Sequence, residues 1–407
     1  MRLMLINDRL RPTGGSERTL KSQIQGLLAR GHQILAVVPQ EELEFCQDAA
    51  TWKGVEWFSI PHAAGFRSAL HAATLIQAQA QEWKADVIEV VNIGGLLGPT
   101  GVIELSKHFP LVHAFRDVRP TCPRGDRDLG AKGLCEDRAS LRCIARGCMT
   151  PQHEPRGWRG VVDSRLRLRA LRSAHAVVTE SQAMLDLLQK FGVNPSRLFL
   201  PPLHVKVPQQ LGPPPSACPP TILGMGLLSN PTKGLRHLLQ AFATIPDQDA
   251  RLRFSGKPGP AWGQVQDLVQ RHGLEQRIDV LGWLDDETLQ HELSHCRTLA
   301  FPSRYFESFG LAGAEASAHA RPVVASDCRG SRDWVKHQVT GQIVERNSHT
   351  AMAEALQQYL QNPQLADEHG AAGRDFIAGR FTRNAMIDAL ELVYRSVLKP
   401  HAVGAQA

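Results

Sequence analysis

A proline-rich stretch without periodicity, VKVPQQLGPPPSACPP at 205–220, divides this chain into two series built on one pattern. Each series repeats a short apolar strand, a glycine-bearing loop and an amphipathic helix. In the first, strands are predicted at Arg2–Ile6, Gln33–Val38, Val87–Val91, Leu111–Phe115, Ala176–Thr179 and Leu198–Leu200. In the second they are predicted at Thr221–Met225, Arg251–Ser255, Ile278–Leu281, Thr298–Phe301, Pro322–Ala325 and Gln342–Val344. Strands alternating with helices call for parallel sheets with helices packed on them, so the expected fold class is α/β with two doubly wound, Rossmann-like domains. A chain of 407 residues is long enough for each half to bury its own core. The expected domains are 1–204 and 221–382, joined by a linker at 205–220 and followed by a helix at 383–398 and a loose tail at 399–407.

Composition narrows the class of function. Hydrophobic residues at 43% and charged residues at 21% fit a soluble globular protein. No run of about 20 apolar residues is present, so no membrane-spanning helix is expected. The opening MRLMLIND reads as a buried strand rather than a signal peptide, which predicts a cytoplasmic protein. The net charge of +6 is concentrated: Arg116–Arg172 holds thirteen Arg and one Lys against seven acids, 14 − 7 = +7. Such a zone attracts anionic lipid, lipid-linked diphosphate or nucleic acid, or is simply a solvated arginine-rich face. Nucleic acid ranks last, because the zone lacks interleaved aromatics for base stacking. A peripheral position on the inner face of the membrane is the expectation that uses it.

The segment FPSRYFESFGLAGAE at 301–315 carries the chemistry. Glu307 and Glu315 are eight positions apart, and a helix over Ser308–Ala320 would set one roughly below the other. The N–H groups of Phe309, Gly310 and Leu311 would then face outward at a helix start, where partial positive charge attracts phosphate or hydroxyl oxygens. Upstream, GLLSNPTKGLRHLLQAF (226–242) offers Lys233 ahead of Gly234. RIDVLGWLDDETLQHEL (277–293) and RPVVASDCRGSRDWVKHQVTGQIV (321–344) follow in strand-then-loop form. Near the N-terminus, PTGGSERTLKSQIQGLLARGHQILAVV (12–38) sets Gly14 and Gly15 between a strand and a helix, where glycines let backbone approach an anion.

Five segments in this order resemble the family 4 glycosyltransferases, whose Glu-x7-Glu motif matches Glu307 and Glu315. The likeness spans about the whole chain and is strongest over 221–345. It implies the GT-B architecture, with two sheets facing across a cleft and the last helix crossing back to the first domain. It implies transfer of a sugar from a UDP- or GDP-linked donor to a glycan, lipid-linked or small-molecule acceptor, with retention of anomeric configuration. On that resemblance Lys233 binds phosphate, Glu307 contacts donor sugar hydroxyls and Glu315 the ribose. Ser308, Phe309, Gly310 and Leu311 act through backbone amides, Gly14 and Gly15 approach donor or acceptor, and backbone around Gly282 reads the base. Carboxylates suit paired sugar hydroxyls because they accept strong charge-assisted hydrogen bonds.

Two positions depart from the family pattern. The arginine that accompanies the lysine falls at Leu227 or Leu228, which leaves Arg304 as the nearest substitute cation. In LVHAFRDVRPTC (111–122), Arg116 stands where a histidine is expected, followed by Asp117. Arginine stays protonated and cannot be a general base. His113 faces the other side of the strand by period-two logic. These departures motivate an alternative reading, a catalytically reduced sugar-nucleotide-binding protein with a Cys-rich interaction insert over about 117–160. No Asp-x-Asp stands at a strand end, so no cofactor is expected for catalysis. Cys122, Cys135, Cys143 and Cys148 fall within 27 residues and are open to three uses: a structural zinc, free thiols or disulfides.

Overall fold

The computed structural model describes residues 1–10, 14–47, 52–62, 65–91, 94–149, 157–226, 230–256 and 262–398. The chain forms two compact units. The first comprises Met1–Gly125, Asp137–His204 and the segment from Arg383; the second comprises Asp126–Glu136 and Val205–Thr382. The tail at 399–407 and part of the insert, 150–156, lie outside the described residues.

Among the described residues, unit 1 holds a seven-stranded sheet. Its strands are β1 (Arg2–Ile6), β2 (Gln33–Pro39), β3 (Val55–Ile60), β4 (Val87–Val90), β5 (Leu111–Phe115), β6 (Ala176–Thr179) and β7 (Leu198–Phe199). They run parallel in the order β3-β2-β1-β4-β5-β6-β7. Strands β4, β5 and β6 are buried along their whole length, because helices cover both faces; that is why they read as unbroken apolar runs. Strand β3 escaped the sequence reading. It lies at the sheet edge, is only partly buried, and its VEWFSI breaks the apolar run with Glu56 and Ser59.

The last helix, Arg383–Leu398, belongs to unit 1 and packs Met386, Ile387, Leu390 and Val393 into the core beside Leu20, Ile24 and Leu27 of helix Gly15–Ala29. A buried polar network pins it there. The Tyr394 hydroxyl donates to Glu89 Oε2, and Gln23 Nε2 donates to the same oxygen at 2.7 Å. Burial pushes the Glu89 carboxyl above its ordinary value of 4.5, against the opposing pull of Tyr394, Arg116 and Gln23. The native state therefore holds this proton more tightly than the unfolded chain. Its contribution is fully present below the unfolded pKa and is lost as pH rises through the folded one. Glu89→Gln has no proton to lose, so its melting temperature should fall less than that of wild type as pH rises above the ordinary carboxylate range. Identical pH slopes for the two proteins would rule out this linkage.

Unit 2 holds, among the described residues, a six-stranded sheet. Its strands are β8 (Thr221–Met225), β9 (Arg251–Ser255), β10 (Ile278–Gly282), β11 (Thr298–Phe301), β12 (Val323–Ser326) and β13 (Gly341–Val344). They are parallel, in the order β10-β9-β8-β11-β12-β13. Strand order reverses between β8 and β11, and the crevice beyond the carboxyl ends of such a pair is where doubly wound sheets bind ligands. The proline-rich stretch packs on this unit. Ser216 N donates to Asp367 Oδ1 at 2.8 Å, and the buried Arg321 guanidinium donates to the Cys296 carbonyl at 3.0 Å and to Pro213 O at 2.5 Å.

Candidate active site

The loops that leave β8 and β11 are neighbours because their strands are hydrogen-bonded, and they bring together residues far apart in sequence. After β8, the Asn230 carboxamide accepts from Thr232 N at 3.0 Å and Thr232 Oγ1 at 2.7 Å, which shapes the short 3-10 turn Pro231–Lys233. Gly234 then adopts φ 78° and opens helix Leu235–Ala243. After β11 the chain passes through a bend at Tyr305 to Glu307, which forms an isolated parallel bridge with Arg329. Lys233 Nζ donates to Glu307 Oε1 and to the Tyr305 hydroxyl, both at 2.8 Å. That hydroxyl donates in turn to Glu307 Oε2 at 2.5 Å, and the ammonium lies 4.6 Å from the Tyr305 ring centre.

Glu307 is 3% exposed, whereas the Lys233 side chain keeps 26% of its surface open. The carboxylate is thus a buried anchor, and the ammonium is the accessible end of the pair. Glu307 N donates to Cys328 O at 3.0 Å, which ties the loop to the chain leaving β12. Burial and the Glu307 charge push the Cys328 thiol up to about 12, so it stays neutral and is no nucleophile.

The helix after this loop begins later than the sequence suggested. It spans Leu311–Ala318, with Gly310 at φ 94° as its N-cap. Glu307 is therefore off the helix, and the two-turn stacking of Glu307 over Glu315 does not occur. Gly310, at positive φ, ends the loop before helical hydrogen bonds start. Glu315 is half-buried on the helix, and the N–H groups of Leu311 and Ala312 stand at its start. Phe309 is core: its ring meets Phe381 at 5.3 Å between centres, and its carbonyl accepts from Trp334 Nε1 at 2.7 Å. Ser308 and Gly310 are half-buried beside it. Gly282 ends β10 with φ 70°, and its carbonyl accepts from Gly256 N at 2.7 Å.

The substitute residues prove to be committed elsewhere. Arg304 donates from Nε to Asn347 Oδ1 at 2.8 Å and pairs with Asp128 at 3.2 Å, so its guanidinium is held by a carboxylate. In unit 1, Arg116 donates to Ser16 O at 2.8 Å and Gln23 Oε1 at 3.0 Å, with Glu180 at 3.8 Å. It clamps the start of the helix that Gly14 caps and Gly15 begins. Asp117 accepts from Arg119 N at 2.8 Å. His113 is buried on β5, where desolvation and the Arg167 charge push it down to about 3 and keep it neutral. Leu227 and Leu228 lie outside the described residues.

Tyr305 is the site residue that sequence reasoning missed. Its only signal was its place two residues before Glu307, and what joins them is the shared contact with Lys233. The four clustered cysteines divide between the two units. Among the described residues no group of three or more His, Cys, Asp or Glu could hold a metal ion. None of Cys122, Cys135, Cys143 and Cys148 is in a disulfide bond; Cys135 belongs to unit 2 and the other three to unit 1. The arrangement at Lys233 can offer one compensated, accessible cation and a buried carboxylate to a polyhydroxylated anion.

Both units are similar to known proteins. Residues 219–376 match the family described as Glycosyl transferases group 1, and residues 14–203 match the Glycosyl transferase 4-like domain. The chain is 26% identical over 180 residues to the alpha-D-kanosaminyltransferase of Streptomyces kanamyceticus, covering 44% of this chain and 46% of that protein. Six such curated relatives are spanned over less than half of their own length, between 38% and 46%. A GDP-mannose-dependent alpha-(1-6)-phosphatidylinositol monomannoside mannosyltransferase of Mycobacterium tuberculosis is 24% identical over 93% of this chain and 94% of its own. Among solved structures, Anabaena HepE in complex with UDP and glucose superposes with a TM-score of 0.70 at 18% identity, covering 97% of this chain and all of HepE.

Proposed function

The chain belongs to the family 4 glycosyltransferases and has their GT-B fold, and from that premise we propose that it transfers a sugar from a nucleoside-diphosphate sugar to an acceptor hydroxyl with retention of configuration. The observation that carries this reading is the Lys233–Glu307 pair at the switch point between β8 and β11, with the ammonium accessible and the carboxylate buried. As the bond from the anomeric carbon to the diphosphate oxygen breaks, negative charge grows on that oxygen. Lys233, already fixed by Glu307 and Tyr305, stabilises it without reorganising. The acceptor hydroxyl attacks from the same face, and its proton passes to the departing diphosphate. Glu307 Oε1 and Oε2 also accept from donor hydroxyls in this scheme. Relatives named for GDP-mannose and a fold neighbour bound to UDP support a UDP- or GDP-linked donor. The test is a screen of UDP- and GDP-sugars for binding and for nucleoside diphosphate release, with and without glycan or lipid-linked acceptors. Binding of no nucleotide at all would sink the proposal.

The acceptor side extends the reading to a peripheral contact with an anionic bilayer. No helix among the described residues is long and apolar enough to cross a membrane. Helix Trp158–Ser173 exposes Trp158, Val162, Arg165 and Arg169 on one face. Arg165 Nε donates to Ala139 O at 3.2 Å, which lays the 138–146 turn against that helix. The turn exposes Leu141 (76%) and Arg142, so apolar side chains and arginines share one surface. Insertable apolar groups ringed by arginine suit lipid phosphates better than bases or a protein groove. The protein should co-sediment with phosphatidylcholine vesicles only when phosphatidylglycerol is included. Arg142→Ala and Arg169→Ala should each weaken that binding about fivefold. Equal binding to neutral vesicles, or none to either, would remove this part of the proposal.

A further inference from the structure

We propose that the 126–136 hairpin of the insert is a working part of unit 2, and that Asp128 is a positioning residue for the loop that carries Tyr305 and Glu307 to Lys233. Although these residues stand far ahead of unit 2 in sequence, they pack within it. The hairpin is closed by an antiparallel bridge between Asp128 and Leu134, by Leu129 N to Gly133 O at 2.9 Å, and by the buried Arg127 guanidinium on the Cys135 carbonyl.

Its contacts converge on the 302–309 loop. Phe306 N, between Tyr305 and Glu307, donates to Asp126 O at 2.9 Å. The Asp128 carboxylate takes Arg346 NH1 at 2.7 Å on one oxygen and Arg304 NH2 at 3.2 Å on the other. Arg346 also donates to Arg304 O at 2.7 Å and to Gly130 O at 3.0 Å, and Asn347 Nδ2 reaches Gly130 O at 3.1 Å. Arg304 N in turn donates to Thr232 O at 2.8 Å, one residue before Lys233. On the far side Glu136 pairs with Arg329 at 3.2 Å, and Arg329 bridges to Glu307 through the backbone. The loop bearing the carboxylate is thus fixed from three sides, and Asp128 joins two of them.

Charge explains why an aspartate is required. The side chains of Asp128 and Arg346 are 7% and 8% exposed, so removing the carboxylate leaves two crowded guanidinium groups without their shared counter-charge. Arg304 would be free to turn from the hairpin, and the Tyr305–Glu307 segment would lose its register against Lys233. A displacement of about 1 Å at reacting groups is enough for a 10²-fold loss. The effect on chemistry rests on the glycosyltransferase reading; the effect on the loop does not.

The experiment compares full-length wild type with Asp128→Asn and Asp128→Glu by amide hydrogen exchange and by nucleoside diphosphate release. In Asp128→Asn, amides 302–310 should exchange about tenfold faster while β8, β11 and β12 keep wild-type protection. Its kcat should fall roughly 10- to 100-fold with donor KM changed less than about threefold, and Asp128→Glu should recover part of the loss. Unchanged exchange at 302–310 would overturn the proposal. So would an equal rise throughout β8, β11 and β12, or a loosened loop with kcat intact. If Asp128→Asn does not fold, Glu136→Gln is the milder probe, since it frees Arg329 from a largely exposed carboxylate, with faster exchange expected at 305–310 only. If wild type releases no nucleoside diphosphate, the glycosyltransferase reading fails while the exchange comparison still decides the role of the hairpin.

Discussion

Lys233→Ala is expected to lower kcat for nucleoside diphosphate release by about 10²- to 10³-fold, the cost typical of removing one preorganised donor from a developing anion. Lys233 is the cation that reaches both the buried carboxylate of Glu307 and open surface. Its loss leaves Glu307 with the Tyr305 hydroxyl and no paired charge. Glu307→Gln keeps the shape and one accepting oxygen but removes the charge that fixes the ammonium. Its expected loss is smaller, about 10- to 100-fold, and should include weaker donor binding. Stability should also fall for Lys233→Ala, by about 2–3 kcal/mol, because the buried Glu307 carboxylate loses its counter-charge, although the quarter-exposed Lys233 side chain keeps the cost below that of a fully buried pair. Turnover within threefold of wild type in Lys233→Ala would remove the mechanism; so would equal losses in both variants that track a fall in melting temperature.

Gly234→Ala should damage fold and site together. A Cβ at this position would lie 1.9 Å from Pro302 O and 2.8 Å from Pro302 C, contacts with backbone that no rotamer change relieves. The φ of 78° adds about 1–2 kcal/mol for a residue bearing a Cβ. Pro302 leads into the loop of Tyr305 and Glu307, so relief of the clash must push that loop away from Lys233. The expected loss is about 3–5 kcal/mol, or roughly 10 °C in the melting temperature of unit 2. Turnover should fall at temperatures where the variant is still folded. Gly273→Ala is the control, since its φ is 63° but nothing lies within 4 Å of the added carbon. It should lose only about 1–2 kcal/mol. Equal destabilisation by the two substitutions would show that backbone strain, not the approach of Pro302, limits position 234.

Much of the fold was legible because parallel strands buried on both faces read as uninterrupted apolar runs. Strands β1, β5, β6, β8, β9 and β11 have the bounds their residues predict. Edge strand β3 was not legible, since a strand covered on part of one face need not be apolar throughout. Local conformation was legible only where a residue type forces it. Gly234 signals a special backbone, yet nothing in the letters says that Gly310 delays the helix from Ser308 to Leu311.

By itself, then, the sequence determined the α/β class and, through resemblance, the family, and it singled out Lys233, Glu307 and Glu315 as site candidates. The class follows from short apolar windows, where burial acts on near neighbours, and the rest from the likeness of whole motifs. Only the tertiary structure decided that Lys233 is spent on Glu307 and Tyr305, that Arg116 and Arg304 are held by other partners, and that 126–136 packs within unit 2. Each of these depends on which strands lie side by side and on charges meeting across many residues of chain, and a buried charge takes its partner from space rather than from sequence order.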